Sequence, residues 1–418
     1  MFSESPSVGF WIGELKTYLE KENYSSSCIQ RYVSTSHRFL DYLAKRQLEI
    51  ASASRSDVQA FLESDLVRFR RRYGRVPADP QSWRTCIQRG VDLLLGVARE
   101  DWPPKKAPVT ELEILWETTV QGYGQWLSQT CALTSTTVIG RMRIARHFLA
   151  CLGKRSTRGH IRCLCIEDLD AYLEERTRNL RRSSRRELAI CLRSFLGYLY
   201  GQGWLNQDLA PAVILPKRYS DGNVPAALGE KEIAVLLECT ACDTSPKGLR
   251  DYAILLLLVV YGLRAGEVVK LRLEDLDWRR DRIEIFHFKT GAHSVLPLLP
   301  CVGNALLEYL RRGRPKTSIR EVFLRAQAPY RALCNGSSLH QVVASRLRQA
   351  GVQVQGRRGP HALRHAQALR LLRASVPLKT IGDILGHRAP SSTSAYLKLA
   401  TEDLRQVGLE LPNQEVAR

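Results

Sequence analysis

The sequence of 418 residues lacks the features that mark several common classes of protein. Its most apolar stretch, Ala253 to Tyr261, is far shorter than the roughly 20 residues that a membrane-spanning helix needs. The opening residues, MFSESPSVGF, contain no basic segment followed by an apolar one, so we expect no secretory signal. Cys239 and Cys242 form a CxxC pair without a second pair at zinc-finger spacing. We therefore expect a cytoplasmic protein with reduced thiols, no membrane association and no bound metal.

Acidic residues are few relative to basic ones. Lysine and arginine number 62 against 42 aspartates and glutamates, which gives a net charge of +20, and 48 of the basic residues are arginine. Arginine keeps its charge at any working pH, and its planar guanidinium matches phosphate oxygens. The apolar fraction of 44% is that of a globular protein, which excludes wholesale disorder. The charge therefore indicates a polyanionic partner, and nucleic acid is the leading candidate.

Helical periodicity dominates the chain before residue 220, and short blocks recur there in the same order. The order favours an internal duplication over two helical segments that merely share an amphipathic pattern. Proline-rich breaks at 101–110 and 214–230 predict linkers. We therefore predict three domains, at 1–105, 111–218 and 222–411. The paired blocks are YL 18–19 with WL 126–127, HRFL 37–40 with RHFL 146–149, and DVQAFLE 57–63 with DLDAYLE 168–174.

The chain after residue 220 has a mixed pattern. Leu249 to Gly262 predicts a buried helix, and Arg264 to Arg272 predicts a short second helix. Arg282 to Phe288 alternates between polar and apolar residues, and Ser294 to Leu299 predicts a return strand whose proline favours an edge position. Everything after residue 300 is predicted to be helical.

Cationic residues follow these elements in a fixed order. Arg264 lies between glycines in YGLRAGE, and His361, Arg364 and His365 in PHALRH share one helical face. Each fragment alone also fits a structural role, such as a helix corner or a surface arginine. The order of the whole set carries the signal: Arg264, Lys289, His361, Arg364, His387 and Tyr396.

This set resembles the tyrosine recombinase, or phage integrase, family. The matching strings are YGLRAGEV, FKTGAH followed by VLPL, PHALRH, ILGH and SAYLKL, and residues 126–205 resemble the family's helical core-binding domain. The resemblance implies a mainly α fold with a small antiparallel sheet. It also implies helical SAM-like DNA-binding units that precede a tyrosine-recombinase catalytic domain.

The resemblance implies a role for each reacting group. Tyr396 would attack the scissile phosphate and form a 3′-phosphotyrosyl bond, which a DNA 5′-hydroxyl later reverses. His361 would accept or position the tyrosine proton, and Lys289 would protonate the leaving oxygen. Such chemistry would need no cofactor.

Two arginines and a histidine would serve the phosphate itself. Arg264 and Arg364 would clamp its non-bridging oxygens, and His387 would donate to it. Glu267 and His365 would support these groups without contacting the phosphate themselves. We interpret His293 as a hairpin residue facing DNA or water, and His287 as half-buried structure.

Arg70-Arg71 and Arg181-Arg182 are 111 residues apart, the same separation as between the blocks at 57–63 and 168–174, and each pair predicts a DNA contact in its helical unit. The alternative for Arg70 and Arg71 is that residues 68–75 form a solvated, flexible loop. The predicted DNA-binding residues are Arg70, Arg71, Arg181, Arg182, Arg185 and Arg186.

The favoured function is a site-specific recombinase or integrase of a mobile element. It would act on double-stranded DNA as a homotetramer, with partner recombinases in some systems, in a prokaryotic cytoplasm and at the nucleoid when bound. Two alternatives stay open: a type IB topoisomerase-like enzyme, and a non-catalytic DNA-binding architectural protein. Relaxation of supercoils in DNA without a special site would favour the first, and absence of a covalent adduct would favour the second.

Overall fold

The computed structural model describes residues 7–103, 110–217, 228–288, 291–353 and 359–386. The chain divides into two compact units, one of Pro104–Gly222 and one that combines Met1–Pro103 with Asn223–Arg418. Three large hydrophobic cores have their buried residues at 15–95, 120–213 and 228–363. No helix in the described ranges is long and apolar enough to cross a membrane.

The first helical bundle is built from four helices that begin at polar caps. Each cap side chain accepts a hydrogen bond from a backbone N–H of the first turn, and this N–H has no partner within the helix. The cap residues are Ser7, Ser25, Ser54 and Asp79. The second and fourth helices pack against each other around a core that includes Phe39. The helices are α1 (Val8–Lys21), α2 (Ser26–Lys45), α3 (Arg55–Tyr73) and α4 (Pro80–Ala98).

The second helical bundle has the same succession of long helices with one short helix added. Its core surrounds Tyr123, Phe148 and Phe195, whose rings meet edge to face. Its helices are α5 (Glu111–Gln129), α6 (Ser135–Leu152), α7 (Arg158–Ile161), α8 (Ile166–Thr177) and α9 (Arg182–Gly201).

The recurring sequence blocks occupy matching places in the two bundles. Phe39 and Phe148 lie in the second long helix of each bundle, and both are fully buried. Asp57 and Asp168 lie in the third long helix of each, where their carboxylates accept the backbone N–H of the cap residue. The correspondence therefore extends from sequence to burial and helix capping.

The C-terminal part is organised around one buried helix. Residues Ala253 to Val259 of this helix, α11 (Pro246–Val260), are all buried, as expected for a helix that is apolar on every side. Four other helices of this part pack against it, α10 (Glu230–Ala241), α12 (Ala265–Lys270), α13 (Pro300–Glu308) and α15 (Pro360–Arg373). Two further helices are α14 (Gly336–Gln349) and α16 (Leu378–Leu385).

A three-stranded antiparallel sheet lies beside these helices in the order β1 (Leu276–Asp277), β2 (Arg282–His287) and β3 (Ala292–Pro297). In β2 the residues alternate between exposed and buried, so that His287 points to the same side as the two buried isoleucines. Strand β3 is an edge strand, as its proline predicts, and Pro297 is its last residue.

Two predictions need correction. The chain after residue 300 is not wholly helical, because Arg314 begins an irregular segment that lasts until Asn335. The guanidinium of Arg314 holds this segment by donating to the carbonyls of Ile319 and Glu321. In addition, helix α3 continues to Tyr73, so most of the stretch at 68–75 is helical rather than a loop.

Candidate active site

Arg264 caps helix α12 and reaches across to helix α16. Its backbone N–H donates to Glu267 Oε2 at 2.7 Å, and its Nη1 donates to Glu267 Oε1 at 2.8 Å. Its Nη2 donates to the carbonyl of Gly386, the residue that follows α16, at 2.9 Å. These hydrogen bonds hold the side chain from two sides. It is 19% exposed, so it remains at the surface.

Arg364 is more deeply placed than Arg264. It lies one turn into α15 and is 4% exposed. Its Nη1 donates to the carbonyl of Gly262 at 2.7 Å, and its Nη2 donates to the carbonyl of Leu385 at 2.6 Å. The two predicted clamp arginines are thereby brought together, since they bind the adjacent carbonyls of Leu385 and Gly386 at the end of α16.

Gly262 shows how closely the elements approach here. It has φ of +63°, a left-handed conformation that suits glycine. A Cβ atom at this position would lie 2.8 Å from Cδ2 of Leu385, which is closer than a real contact permits. The glycine before Arg264 therefore lets the end of α11 lie against the end of α16.

The two histidines of α15 differ in exposure. His361 is exposed, whereas His365 is half-buried one turn later. Their ring centroids are 6.3 Å apart with a 29° angle between the ring planes. His361 therefore lies in the helix that carries Arg364, at the solvent side of the same end.

Glu267 is the residue on which the site's hydrogen bonds converge. Burial raises the pKa of its carboxyl, but hydrogen bonds from His287 and from the backbone and guanidinium of Arg264 outweigh burial, and the pKa lies below its usual range. The carboxyl is therefore a buried carboxylate that helps to fix Arg264, in agreement with the supporting role expected from the sequence.

The expectation for His287 is wrong in degree. His287 is fully buried rather than half-buried. Its Nδ1 lies 2.7 Å from Glu267 Oε1, and its Nε2 lies 3.0 Å from the hydroxyl of Ser294. Because a carboxylate only accepts, Nδ1 donates to Glu267. His293, in contrast, is half exposed and lies 3.4 Å from Glu284.

Lys289, His387 and Tyr396 lie outside the described residues. Their roles stay predictions. Sequence places Lys289 two residues after the end of β2, and His387 directly after Gly386.

The four predicted DNA-contacting arginines of the second bundle surround the start of α9. Arg181 is the cap residue, and Arg182 begins the helix. Arg182 donates to the carbonyl of Lys217, and Arg186 donates to the carbonyl of Pro216, so both also hold the chain where it leaves the bundle. Arg185 donates to the carbonyl of Leu180. A helix N-terminus with several arginines favours a nearby phosphate.

The predicted arginines of the first bundle lie at the other end of a helix. Arg70 and Arg71 are exposed in the last turn of α3. Beside them, Arg72 lies over the ring of Tyr73 at 5.6 Å from its centroid, and Tyr73 is 54% exposed. This end of α3 is therefore both basic and aromatic.

Comparisons with known proteins agree with this arrangement. The phage integrase family model matches residues 227–403. The putative integrase/recombinase y4gC of Sinorhizobium fredii (strain NBRC 101917 / NGR234) is 53% identical over 194 residues, which make up 46% of this chain and 100% of the relative. The tyrosine recombinase XerD of Lacticaseibacillus casei is 30% identical over 241 residues, 56% of this chain and 79% of the relative.

Solved structures match in fold at low sequence identity. A lambda integrase dimer bound to a COC′ core site matches with a TM-score of 0.53 and 15% identity, covering 80% of this chain and 90% of that one. The XerH site-specific recombinase bound to difH substrate matches with a TM-score of 0.52 and 16% identity, covering 73% of this chain and 91% of that one.

The chain belongs to the phage integrase family of tyrosine recombinases. It is a site-specific tyrosine recombinase, an enzyme that cleaves and rejoins DNA strands. The expected fold class, mainly α with a small antiparallel sheet, is confirmed.

Proposed function

We propose that Arg264 and Arg364 clamp the scissile phosphate while Tyr396 attacks it. Displacement at a phosphodiester needs a nucleophile, positive charge at the non-bridging oxygens and an acid for the leaving 5′ oxygen. Tyr396 supplies the nucleophile and forms the 3′-phosphotyrosyl bond. Lys289 is the acid in this proposal.

The two histidines complete the proposed site. His361 accepts or positions the phenol proton, for which its exposed place at the start of α15 is suited. His387 donates to the phosphate.

The observation that carries this proposal is the meeting of the two guanidiniums. Their hydrogen bonds to Gly386 and Leu385 place two permanent positive charges at one helix end. A guanidinium has five N–H donors, and within the part of the chain that the structure describes Arg264 uses two of them, on Glu267 and Gly386, which leaves donors for a phosphate. Because these bonds fix the donors before DNA arrives, little reorganisation is needed during the reaction.

The test is formation of a covalent adduct on a nicked suicide substrate that carries the recombination site. The wild-type protein should form an adduct that resists detergent, and Tyr396→Phe should form none while it binds DNA and folds normally. Tyr200→Phe, which changes a tyrosine 46% exposed in α9, is the matched control and should react like the wild type. An adduct with Tyr396→Phe would assign the nucleophile to another residue.

The arginines of the helical bundles are proposed to bind DNA outside the reacting phosphate. Arg181, Arg182 and Arg185 lie at the N-terminus of α9, where the helix dipole adds to their charge. Arg70 and Arg71 extend this contact along the DNA from the first bundle. In this proposal 1–105 and 111–218 are separate DNA-binding domains that precede a catalytic domain at 222–411, and the first is a duplicate of the second.

The biological setting is also a proposal. We infer integration or transposition of a mobile element, in a prokaryotic cytoplasm and at the nucleoid when DNA is bound. The relative named as a putative integrase/recombinase supports this setting. A solved lambda integrase tetramer bound to a Holliday junction has a related fold, which supports a homotetramer on two duplexes, with partner recombinases as further members in some reactions. Light scattering of the protein bound to paired sites would measure the stoichiometry, and a stable complex of one protomer per site pair would contradict it.

A further inference from the structure

The buried imidazole of His287 connects two parts of the candidate active site. Residues of strand β2 alternate between exposed and buried, so the side chain of His287 points into the interior, where it is fully buried. On one side it donates to Glu267, which holds Arg264. On the other it lies against Gly386, whose carbonyl Arg264 also binds.

The contact with Gly386 is close enough to depend on both residues. Gly386 has φ of +62° and ends helix α16 in the left-handed conformation. A Cβ atom at this position would lie 2.5 Å from each ring nitrogen of His287. The imidazole therefore fills the space beside the glycine and limits where the end of α16 can lie.

We propose that His287 is a positioning residue for DNA cleavage, which holds the Glu267 carboxylate against Arg264 and fixes the Gly386 carbonyl that Arg264 binds. This inference rests on the proposed role of Arg264 at the phosphate. Among the described residues, both side-chain hydrogen bonds of Arg264 go to residues that His287 contacts, Glu267 and Gly386, so loss of the imidazole loosens the guanidinium from two directions. His387 follows Gly386 directly in the sequence.

The ring nitrogens can be tested separately with amide side chains. The amide nitrogen of asparagine can replace Nδ1 and donate to Glu267, whereas that of glutamine falls nearer to Nε2 and Ser294. We expect His287→Ala to slow cleavage at saturating DNA by about 10- to 100-fold, the range in which a small displacement of a catalytic group acts. His287→Asn should recover most of this rate, and His287→Gln should recover little.

DNA affinity and the controls separate positioning from a general loss of structure. The Kd for the site and the melting temperature of His287→Asn should stay near those of the wild type. Ser294→Ala removes the partner of Nε2 alone and should slow cleavage less than His287→Ala does. Glu284→Gln, an exposed change on the opposite face of β2, should cleave within about twofold of the wild type, as surface changes usually do. A wild-type cleavage rate in His287→Ala would overturn the inference, and so would equal rates for the alanine, asparagine and glutamine variants.

Gly386→Ala tests the same contact from its other side and leaves His287 in place. It should slow cleavage in the wild-type background and have a smaller effect in His287→Ala, because the ring that the methyl group meets is then gone. Equal effects in both backgrounds would contradict the contact.

Tyr396→Phe is run on the same substrate: an adduct in that variant would refute the proposed function, whereas unaffected His287 variants would refute only the positioning role.

Discussion

Arg264 and Arg364 donate to adjacent carbonyls at the end of one helix. Arg264 binds the carbonyl of Gly386 at 2.9 Å, and Arg364 binds that of Leu385 at 2.6 Å. The helix end thus holds together two guanidiniums that are 100 positions apart in the chain. The two side chains differ in exposure, which leads to different expectations for their variants.

Alanine at either arginine should slow cleavage strongly. We expect Arg264→Ala to raise the cleavage barrier by about 3 kcal/mol, the size found when one preorganised donor is lost. Arg264→Lys should restore little, because lysine lacks the planar pair of donors. Single-turnover rates on a suicide substrate measure the effect. Equal rates for the wild type and Arg264→Ala would exclude a role at the phosphate.

Arg364→Ala should also destabilise the fold. The side chain is buried, and its hydrogen bonds to Gly262 and Leu385 tie α11, α15 and the end of α16 together. Each hydrogen bond from a charged donor contributes about 1.5–3 kcal/mol, so a measurable fall in melting temperature is expected. Arg373→Ala, an exposed change on the same helix, is the control and should melt near the wild type. A normal melting temperature in Arg364→Ala would show that these contacts are dispensable for folding.

Glu267 should make the protein acid-sensitive. Its pKa is lower in the folded state despite burial, because His287 and Arg264 donate to it. A carboxyl of this kind adds stability that is fully present above its unfolded pKa of about 4.3 and is lost as the pH falls through the folded value. Glu267→Gln should therefore melt lower at neutral pH and lose less on acidification than the wild type. Melting curves from neutral pH to about pH 3 measure this, with the half-exposed Glu284→Gln as control. Parallel curves for wild type and Glu267→Gln would contradict it.

Neutralising Arg70 and Arg71 should weaken DNA binding broadly and reduce its salt dependence. Each phosphate contact contributes about −0.9 to the slope of log affinity against log salt on duplex DNA, so the double alanine variant should flatten the slope by one to two units. Lys16→Ala with Lys21→Ala removes the same charge from α1 of the same bundle and should leave the slope nearly unchanged. Deletion of residues 1–105 should shorten the footprint while Tyr396 still cleaves a preformed suicide site. An unchanged footprint and slope would assign the first bundle to protein contacts.

Cleavage should persist when divalent metal ions are chelated. In the proposed mechanism arginine and lysine side chains supply the positive charge at the phosphate that metal ions supply in two-metal nucleases. The cleavage rate on a suicide substrate should therefore be the same in EDTA as in magnesium. A strict magnesium requirement for the chemical step would refute the mechanism.

Sequence predicted those features that depend on local pattern. The apolar run predicted a buried helix over Leu249 to Gly262, and the structure has it at Pro246–Val260. Alternation predicted strand β2 to within one residue of its end. The ordered motifs also predicted that Arg264 and Arg364 share a site, because the resemblance carried the long-range contact that no local pattern contains.

Features that depend on distant partners were missed. Alternation gave the face of β2 on which His287 lies but not its depth, since its carboxylate partner is 20 positions earlier in another element. The irregular segment after Arg314 was missed for a similar reason. A side chain that donates to several carbonyls stabilises a conformation without any periodicity, and only breakers of helices such as Pro315 and Pro329 signal it in the sequence.

The contact between His287 and Gly386 has a consequence for how the sequence can diverge. The imidazole and any side chain at 386 would compete for one volume, so the two positions cannot change independently. Aligned members of the family should therefore show covariation: an asparagine at the position of Gly386 should accompany a small residue at that of His287, and a ring at 287 should accompany glycine at 386. Evolution from one pairing to the other should pass through the small residue first, because that order avoids the clash.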